Sequence, residues 1–308
     1  MFGFGEKSFN ADTDIPDLSG KVILVTGGNN GLGLESCRQL CKHNAHVYLA
    51  ARNPSKAESA IAEIKKGNPT ASVTFLQLDL SSLESVKKAA DEFNAQSDRL
   101  DVLMNNAGVM AMPPGTTKEG YEIQFGTNHV GHALLTKLLL PKLLKTAEEP
   151  SSDVRIVNLS SAGHGLPPKG GLVLANAKSD MATYSTWVRY GQSKLANILF
   201  TRELTRRYPS IKSMVCHPGG IDTGLSQPFQ DQHPWLATLI GPVRLFLTNV
   251  QDGALTQLFL ATSPKVRSGH YYVPTAKENA GSKYSQDPKL AGELWDWTEK
   301  ELAEHGYH

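Results

Sequence analysis

Short apolar runs alternate with longer helix-forming stretches along almost the whole chain, and this alternation limits the possible folds more than any other feature. Residues 22–25 and 102–104 are apolar at every position, as parallel strands covered by helices on both faces must be. Strict alternation of this kind predicts right-handed strand–helix–strand crossovers and one doubly wound parallel sheet. We predict seven strands, at 21–26, 45–51, 72–78, 100–105, 153–160, 211–217 and 269–273.

Helix-forming stretches fill the intervals between the predicted strands. We place them at 32–42, 55–66, 83–95, 118–145, 190–207, 251–261 and 289–304. No stretch rich in glycine, proline or serine divides the chain into two parts. We therefore expect one α/β domain over residues 1–308, with a short N-terminal extension at 1–20.

Composition excludes several classes of protein. The 31 Lys and Arg residues nearly balance the 30 Asp and Glu residues, and this balance does not favour binding to nucleic acid or to an anionic membrane. Three cysteines are too few for a disulfide framework, which indicates a reducing compartment. No window reaches the roughly 18 apolar residues needed to cross a bilayer, and the first 20 residues lack a signal-peptide-like apolar stretch. We expect a cytoplasmic protein without a membrane span.

Two long segments interrupt the alternation, and each follows the end of a predicted strand. Residues 163–187 are rich in proline, glycine and polar residues, whereas residues 222–250 combine three prolines with Phe229, Trp235 and Leu239. In open parallel sheets, ligands bind beyond the carboxyl ends of the strands, where long loops commonly carry function. We predict that 222–250 is a substrate-binding segment, with plain surface decoration as the alternative.

A glycine-rich turn joins the first predicted strand to the first predicted helix. It reads Thr26-Gly27-Gly28-Asn29-Asn30-Gly31-Leu32-Gly33. Glycine permits positive φ angles, close approach of the backbone to a pyrophosphate, and tight packing of a helix on a strand. Its place between a strand and a helix favours a dinucleotide site over a plain turn.

The ends of the next strands indicate which dinucleotide binds. Arg52 stands where a protein that binds NAD places a carboxylate for the ribose 2′-hydroxyl. Because a guanidinium pairs with a 2′-phosphate, NADP is the predicted cofactor, although an arginine here can also be merely solvated. Asp79 can accept a hydrogen bond from the adenine amino group or cap the next helix. Residues 105–108 are small enough for the adenosine to lie against their backbone.

A phenol and an ammonium lie one helical turn apart at Tyr190 and Lys194. A nearby cation favours phenolate, so Lys194 and an oxidised nicotinamide are expected to lower the Tyr190 pKa from about 10. The same spacing also occurs by chance in packed pairs. Ser161, at the carboxyl end of the fifth strand, can stabilise negative charge on a substrate oxygen, although Ser160 or Ser161 can instead cap a helix. Together, Ser161, Tyr190 and Lys194 predict proton transfer coupled to hydride transfer.

Polar residues inside the predicted helix 118–145 are also candidates. Asn128 can hold a water that passes protons toward Lys194, or its amide can simply satisfy nearby backbone groups. His129 and His132 are three residues apart, but no carboxylate or cysteine follows at a supporting spacing. We therefore predict no metal site.

Taken in order, these motifs resemble the short-chain dehydrogenase/reductase family over nearly the whole chain. The resemblance implies a Rossmann-type fold and an NADP(H)-dependent oxidoreductase that interconverts a carbonyl and an alcohol, assembled as a homodimer or homotetramer through helices 118–145 and 190–207. The implied catalytic residues are Asn128, Ser161, Tyr190 and Lys194; Ser161 is preferred to Ser160 because the family's serine is usually the second of such a pair. The implied cofactor-binding residues are Gly27, Asn30, Gly31, Leu32, Gly33, Arg52, Asp79, Leu80, Asn106, Ala107, Gly108, Tyr190, Lys194, Pro218, Gly219, Ile221 and Thr223.

Finer features resemble the retinol dehydrogenases and related fungal oxidoreductases, which implies a place in secondary metabolism. The features are residues 128–132, 193–197 and 294–297. The 29-residue interval between Ser161 and Tyr190 is longer than most members show, and the membrane anchor of retinol dehydrogenases is missing. We therefore expect a moderately large apolar substrate other than retinol. The alternatives are a catalytically inactive dinucleotide-binding regulator and an NAD-preferring dehydrogenase of the same fold.

Overall fold

One sheet organises the part of the chain that the computed structural model describes, residues 9–220 and 248–308. Its strands are β1 Val22–Thr26, β2 His46–Ala51, β3 Val73–Gln77, β4 Val102–Asn105, β5 Arg155–Leu159, β6 Lys212–Cys216, β7 Tyr271–Val273 and β8 Lys277–Asn279. They lie in the order β3-β2-β1-β4-β5-β6-β7-β8. The pairs from β3 to β7 are parallel and β8 is antiparallel to β7. The predicted doubly wound α/β fold is confirmed.

Helices cover both faces of this sheet. Their bounds are α1 Ala11–Asp14, α2 Gly31–Lys42, α3 Pro54–Gly67, α4 Leu83–Gln96, α5 Ile123–Phe125, α6 Gly131–Ala147, α7 Thr186–Arg207, α8 Val250–Thr262 and α9 Pro288–Glu304. Because successive strand side chains point to opposite faces, Leu24 packs with α4, α6, α7 and α9, whereas Ile23 packs with α2, α3 and α8. Strands buried in this way on both faces account for the continuous apolar runs.

The predicted continuous helix over 118–145 is wrong. Gly120 has a φ of 89°, and the chain makes an antiparallel bridge between Thr116 and Glu122 before α5 begins. A π-helix, Gly126–Val130, then connects α5 to α6. Such wide turns are frequent at functional sites, and this one contains Asn128.

Two regions at the periphery differ from the sequence prediction. The strand β8 was missed because Lys277, Glu278 and Asn279 are all polar and exposed, as is common at a sheet edge. The described part of the N-terminal extension is packed on the core, with the Phe9 ring 5.6 Å from that of Phe259. The extension is therefore continuous with the domain from residue 9 onward.

The helix α9 covers the outer side of α7. The ring of Trp295 stacks on Phe200 with centroids 5.4 Å apart, and the guanidinium of Arg207 lies 4.5 Å from the Trp295 ring. Residues 189–201 of α7 are all buried within this one chain. Assembly as a dimer or tetramer through helices 118–145 and 190–207 stays a prediction.

Several predicted residues lie outside the described ranges. They are Ile221 and Thr223 of the cofactor set and Phe229, Trp235 and Leu239 of segment 222–250. Within the described ranges, no helix is both long and apolar enough to cross a membrane. In the same ranges, no three His, Cys, Asp or Glu side chains are grouped as a metal site requires.

Candidate active site

The glycine-rich turn leaves β1 at Thr26 and enters α2 at Gly31. Gly27 and Gly31 have φ angles of 68° and 51°, which glycine adopts without strain. A Cβ on Gly33 would lie only 2.2 Å from the carbonyl oxygen of Gly27, so no larger residue fits there. The Asn30 side chain caps α2 by accepting from the Gly31 N–H at 2.8 Å. The turn thus exposes bare backbone beside the positive end of a helix, the combination that binds a pyrophosphate.

Arg52 follows β2 at the same edge of the sheet. Its side chain is exposed, and no carboxylate of residues 9–220 or 248–308 pairs with it. The next residue, Asn53, is committed to capping α3, because its Oδ1 accepts from the Lys56 N–H and the Ser55 hydroxyl. The end of β2 therefore offers a free cation and no carboxylate.

Asp79 and Leu80 follow β3. The Oδ1 of Asp79 accepts from the N–H and the hydroxyl of Ser81 at 3.0 and 2.7 Å, while Ser82 caps α4. The alternative in which Asp79 caps that helix is therefore wrong. Leu80 is buried, and its carbonyl oxygen would lie 2.4 Å from a Cβ on Gly131.

Residues 106–108 follow β4 and lie against the glycine turn. The Asn106 Nδ2 donates to the Thr26 carbonyl at 2.7 Å, and the Ala107 N–H donates to the Thr26 hydroxyl at 2.9 Å. A Cβ on Gly27 would lie 3.1 Å from the Cα of Ala107. The ends of β1 and β4 thus form one surface, and the predicted contact of residues 105–108 with adenosine stays a prediction.

Three further predicted cofactor residues lie around this surface. Leu32 is half-buried in the first turn of α2 and packs against the core on that face. Pro218 and Gly219 follow β6, where Gly219 has a φ of 99° and donates its N–H to the Nδ1 of His217. All three lie at the carboxyl edge of the sheet.

Ser161 and Tyr190 meet beyond the end of β5. Ser160 is buried, and its hydroxyl donates to the Lys194 carbonyl at 2.8 Å, so it is part of the packing between β5 and α7. Ser161 is less buried and caps a short 3-10 turn by accepting from the Gly163 N–H at 3.1 Å. A Cβ on Gly163 would lie 3.4 Å from the Ser161 Oγ and 3.0 Å from the Tyr190 ring, so the two side chains flank the same glycine. The second serine of the pair is the one beside the phenol.

The environments of Tyr190 and Lys194 set their protonation. Burial raises the pKa of Tyr190, and the side chain of Ser161 acts in the opposite direction. The expected lowering of this pKa by Lys194 and an oxidised nicotinamide stays a prediction. Burial lowers the pKa of Lys194 to about 8. The Lys194 Nζ lies 5.7 Å from the centre of the Tyr190 ring and 3.3 Å from the Leu159 carbonyl. A protonated phenol thus faces an amine that titrates close to neutral pH.

Asn128 lies in the π-helix and reaches the loop after β4. Its Oδ1 accepts from the Val109 N–H at 2.8 Å, and its Nδ2 donates to the Val109 carbonyl and the Ser193 hydroxyl, both at 2.9 Å. Both amide hydrogens are therefore used for local structure, as the alternative interpretation anticipated. A Cβ on Gly108 would lie 3.2 Å from the Asn128 Oδ1 and 3.3 Å from the Lys194 Nζ, so the two groups face the same small space.

Comparison with known proteins agrees with this arrangement. The sequence model of the family described as short chain dehydrogenase matches residues 21–234. The chain belongs to the short-chain dehydrogenase/reductase family. It is 41% identical to a protein named short-chain dehydrogenase/reductase drtF from Aspergillus calidoustus, over 94% of this chain and 95% of that one. An oxidoreductase of Schizosaccharomyces pombe is 37% identical over 93% of this chain and 86% of its own. This short-chain dehydrogenase/reductase thus has fungal relatives along nearly its whole length.

Solved structures share the fold of this short-chain dehydrogenase/reductase. A protein from Mycobacterium paratuberculosis has a TM-score of 0.75 and 30% identity, over 95% of this chain and 96% of that one. A short-chain dehydrogenase from Shigella flexneri, solved in complex with NADP, has a TM-score of 0.64 and 22% identity, over 83% of this chain and 98% of its own. The protein is an oxidoreductase of a family that binds nicotinamide dinucleotides.

The residues at the sheet edge of this short-chain dehydrogenase/reductase fit such a cofactor. Three observations support this fit: a backbone cradle that any Cβ on Gly33 would fill, the capped start of α2, and the cation of Arg52, which pairs with no carboxylate of the described residues. Ser161, Tyr190 and Lys194 lie at the same edge, beyond β5 and along α7. The dinucleotide surface and the proton-transfer groups thus occupy one side of the sheet.

Sequence reasoning missed two polar connections in this short-chain dehydrogenase/reductase. His132 hydrogen-bonds both Thr26 and Asn128. Glu122 and Arg189 form a buried ion pair beside Tyr190. Each includes a contact between residues far apart in the chain, which no local pattern of the sequence indicates.

Proposed function

We propose that this protein is an NADP(H)-dependent oxidoreductase that interconverts a carbonyl and an alcohol on a moderately large apolar substrate. The observation that carries the proposal is that the Tyr190 ring and the Ser161 hydroxyl both flank Gly163, where an added Cβ would lie 3.0 Å and 3.4 Å from them, with the Lys194 amine 5.7 Å from the centre of the ring. When bound, the reduced nicotinamide supplies a hydride to the carbonyl carbon. Binding, orientation and every proton transfer are left to residues of the chain.

Tyr190 is the proposed proton donor to the carbonyl oxygen. Because burial raises its pKa, the phenol stays protonated at neutral pH and is available as a general acid. The Ser161 hydroxyl, which adjoins the phenol, hydrogen-bonds the same oxygen and stabilises the negative charge that develops there. One hydride on carbon and one proton on oxygen together complete the alcohol.

Lys194 is the proposed source of the proton that restores Tyr190. With its pKa lowered to about 8, the ammonium can release and regain a proton near neutral pH. Since both amide hydrogens of Asn128 are engaged, a water between Asn128 and Lys194 must donate to an asparagine oxygen. The relay thus ends with the uptake of one solvent proton per turnover.

Apolar side chains beside the site support the proposed substrate class. Leu166 and Trp187 are the large apolar residues of the described ranges that are exposed, to 60% and 41%. The Leu166 carbonyl would lie 2.6 Å from a Cβ on Gly191, so the Leu166 backbone is held against the residue that follows Tyr190. Trp187 lies one turn earlier on α7. A substrate with a bulky apolar part would cover both.

A panel of carbonyl compounds tests the function directly. We expect NADPH oxidation with bulky apolar ketones or aldehydes and slower turnover of short polar ones. Binding of NADPH without turnover of any substrate on a broad panel would instead support an inactive regulator. Faster turnover with NADH than with NADPH would support the NAD-preferring alternative.

The cofactor preference is tested by reversing the charge at Arg52. Replacing Arg52 with glutamate is expected to weaken NADPH binding by about 10-fold to 100-fold, because a hydrogen bond to a charged group contributes roughly 1.5 to 3 kcal/mol. NADH binding should improve or stay constant. Lys65→Glu is the matched control, since it makes the same charge change at the far end of α3. The measurement is the NADPH dissociation constant of each variant, from fluorescence titration. An equal loss of NADPH affinity in Arg52→Glu and Lys65→Glu would contradict the prediction.

The space shared by Asn128 and Lys194 is tested at Gly108. Gly108→Ala is expected to lower kcat about 10-fold, because the added Cβ must displace the Lys194 Nζ or the Asn128 Oδ1 by a fraction of an ångström. Gly292→Ala in α9 is the control, as no heavy atom lies within 4 Å of its added Cβ. Steady-state kinetics of both variants, with melting temperatures, separate a local effect from loss of folding.

A further inference from the structure

His132 occupies a central position that the proposed mechanism does not use. It lies in the first turn of α6 and is only 2% exposed. Its Nε2 is 2.8 Å from the hydroxyl of Thr26, at the start of the glycine turn. Its Nδ1 is 3.0 Å from the carbonyl oxygen of Asn128, in the π-helix. One imidazole therefore spans the cofactor turn and the proposed proton relay.

The partners of His132 fix the direction of every hydrogen bond. A carbonyl oxygen only accepts, so the Nδ1 of His132 carries the hydrogen and donates to Asn128. In a neutral ring the Nε2 is then an acceptor, so the Thr26 hydroxyl donates its one hydrogen to it at 2.8 Å and not to the Met104 carbonyl at 3.4 Å. The oxygen of that hydroxyl accepts from the Ala107 N–H at 2.9 Å. A directed chain of hydrogen bonds thus runs from Ala107 through Thr26 and His132 to Asn128.

The surroundings of His132 preserve this series of hydrogen bonds. Burial lowers the pKa of His132 to about 4, and the nearby charge of Lys194 acts in the same direction. The ring is therefore neutral at physiological pH, as the acceptor role of Nε2 requires. At the Asn128 end of this series, the Asn128 side chain hydrogen-bonds Val109 and Ser193. Ser193 directly precedes Lys194.

We propose that His132 is a positioning residue that aligns the proton relay with the cofactor turn. Its Nδ1–H holds the Asn128 carbonyl, and with it the Asn128 side chain that anchors Val109 and Ser193. Its Nε2 joins the same unit to Thr26. The inference rests on the proposed function, because it assigns the alignment to turnover.

Two substitutions test the hydrogen bonds of the two imidazole nitrogens separately. In His132→Asn the amide nitrogen can take the place of Nδ1 and keep the donor to Asn128, whereas in His132→Gln the amide oxygen can take the place of Nε2 and keep the acceptor for Thr26. We expect kcat of His132→Asn to stay within about 3-fold of the original and kcat of His132→Gln to fall about 10-fold to 30-fold, as loss of one buried hydrogen bond predicts. His132→Gln should keep the NADPH dissociation constant within about 3-fold, whereas His132→Asn, which loses the link to Thr26, should weaken NADPH binding about 5-fold to 10-fold.

A second pair of variants tests the hydrogen bonds at Thr26. Thr26→Val removes the hydroxyl that Ala107 and His132 share, and is expected to weaken NADPH binding about 5-fold to 10-fold. Thr26→Ser keeps the hydroxyl and should restore the affinity. Equal affinities for the valine and serine variants would contradict the proposed connection to the cofactor turn.

The tautomer gives a readout independent of turnover. In ¹⁵N-histidine spectra, the signal that disappears in His132→Asn should show a protonated Nδ1 and an unprotonated Nε2. The opposite tautomer would overturn the proposal. So would an equal fall of kcat in His132→Asn and His132→Gln that merely follows the loss of folded protein. If the original protein turns over no carbonyl substrate, the proposed function fails, and the tautomer and Thr26 affinities still decide whether the connection exists.

Discussion

Replacing Tyr190 with phenylalanine is expected to lower kcat for carbonyl reduction by about 10³-fold, within the range that one general acid contributes. The change removes a single oxygen from a ring that is 5% exposed, so packing against Gly163 and the rest of α7 is kept. What disappears is the phenol that adjoins Ser161 and faces Lys194. Without it, the substrate oxygen loses its only proposed proton donor.

The affinity for NADPH gives this prediction its internal control. We expect the dissociation constant of Tyr190→Phe to change less than about 3-fold, because α2, Arg52 and the glycine turn are untouched. Tyr208→Phe, at the end of the same helix, is the matched variant and should keep full turnover. Retention of more than a tenth of the original kcat in Tyr190→Phe would overturn the assignment of the phenol as the acid.

The local features of the site could be predicted from the sequence. A glycine turn between a buried strand and a helix, a serine at a strand end and a Tyr–Lys pair at helical spacing are each encoded within a few residues. The topology then brings them together, since carboxyl ends of parallel strands lie at one edge. The glycine turn, Ser161 and Tyr190 accordingly lie where the alternation of strands and helices predicted them.

The remaining features depend on contacts between distant parts of the chain. The π-helix at 126–130 is formed where Gly126 packs on Thr117, and a Cβ there would lie 2.4 Å from the threonine methyl. A helical periodicity gives no sign of such an extra residue. The raised pKa of Tyr190 is of the same kind, because it arises from burial beneath the turn at Gly163. The spacing of Tyr190 and Lys194 predicted a nearby cation and could not predict this desolvation.

The ion pair of Glu122 and Arg189 is the clearest case of a contact that only the fold creates. Their side chains are 0% and 2% exposed, and the Arg189 Nη1 donates to the Glu122 Oε1 at 2.8 Å. Arg189 also donates to the Met112 carbonyl, and the Glu122 Oε2 caps α5 by accepting from Phe125. The pair therefore joins the start of α5, which leads to Asn128, to the helix that carries Tyr190.

Replacing Glu122 with glutamine is expected to lower the free energy of unfolding by about 3 kcal/mol, since removal of one partner leaves a buried charge uncompensated. The double variant Glu122→Gln with Arg189→Met should be more stable than the single one, because it also removes that charge. Glu84→Gln, in the exposed pair with Lys88, is the control and should leave the urea midpoint unchanged.

Activity then distinguishes positioning from simple stabilisation. In the double variant the fold is recovered without the polar link between α5 and α7, so kcat should remain below the original even where the protein is fully folded. The reason is geometric: Arg189 directly precedes Tyr190, and a shift of about 1 Å at a reacting group can cost roughly 100-fold in rate. A double variant with original kcat would show that packing alone aligns the phenol with Ser161 and Lys194.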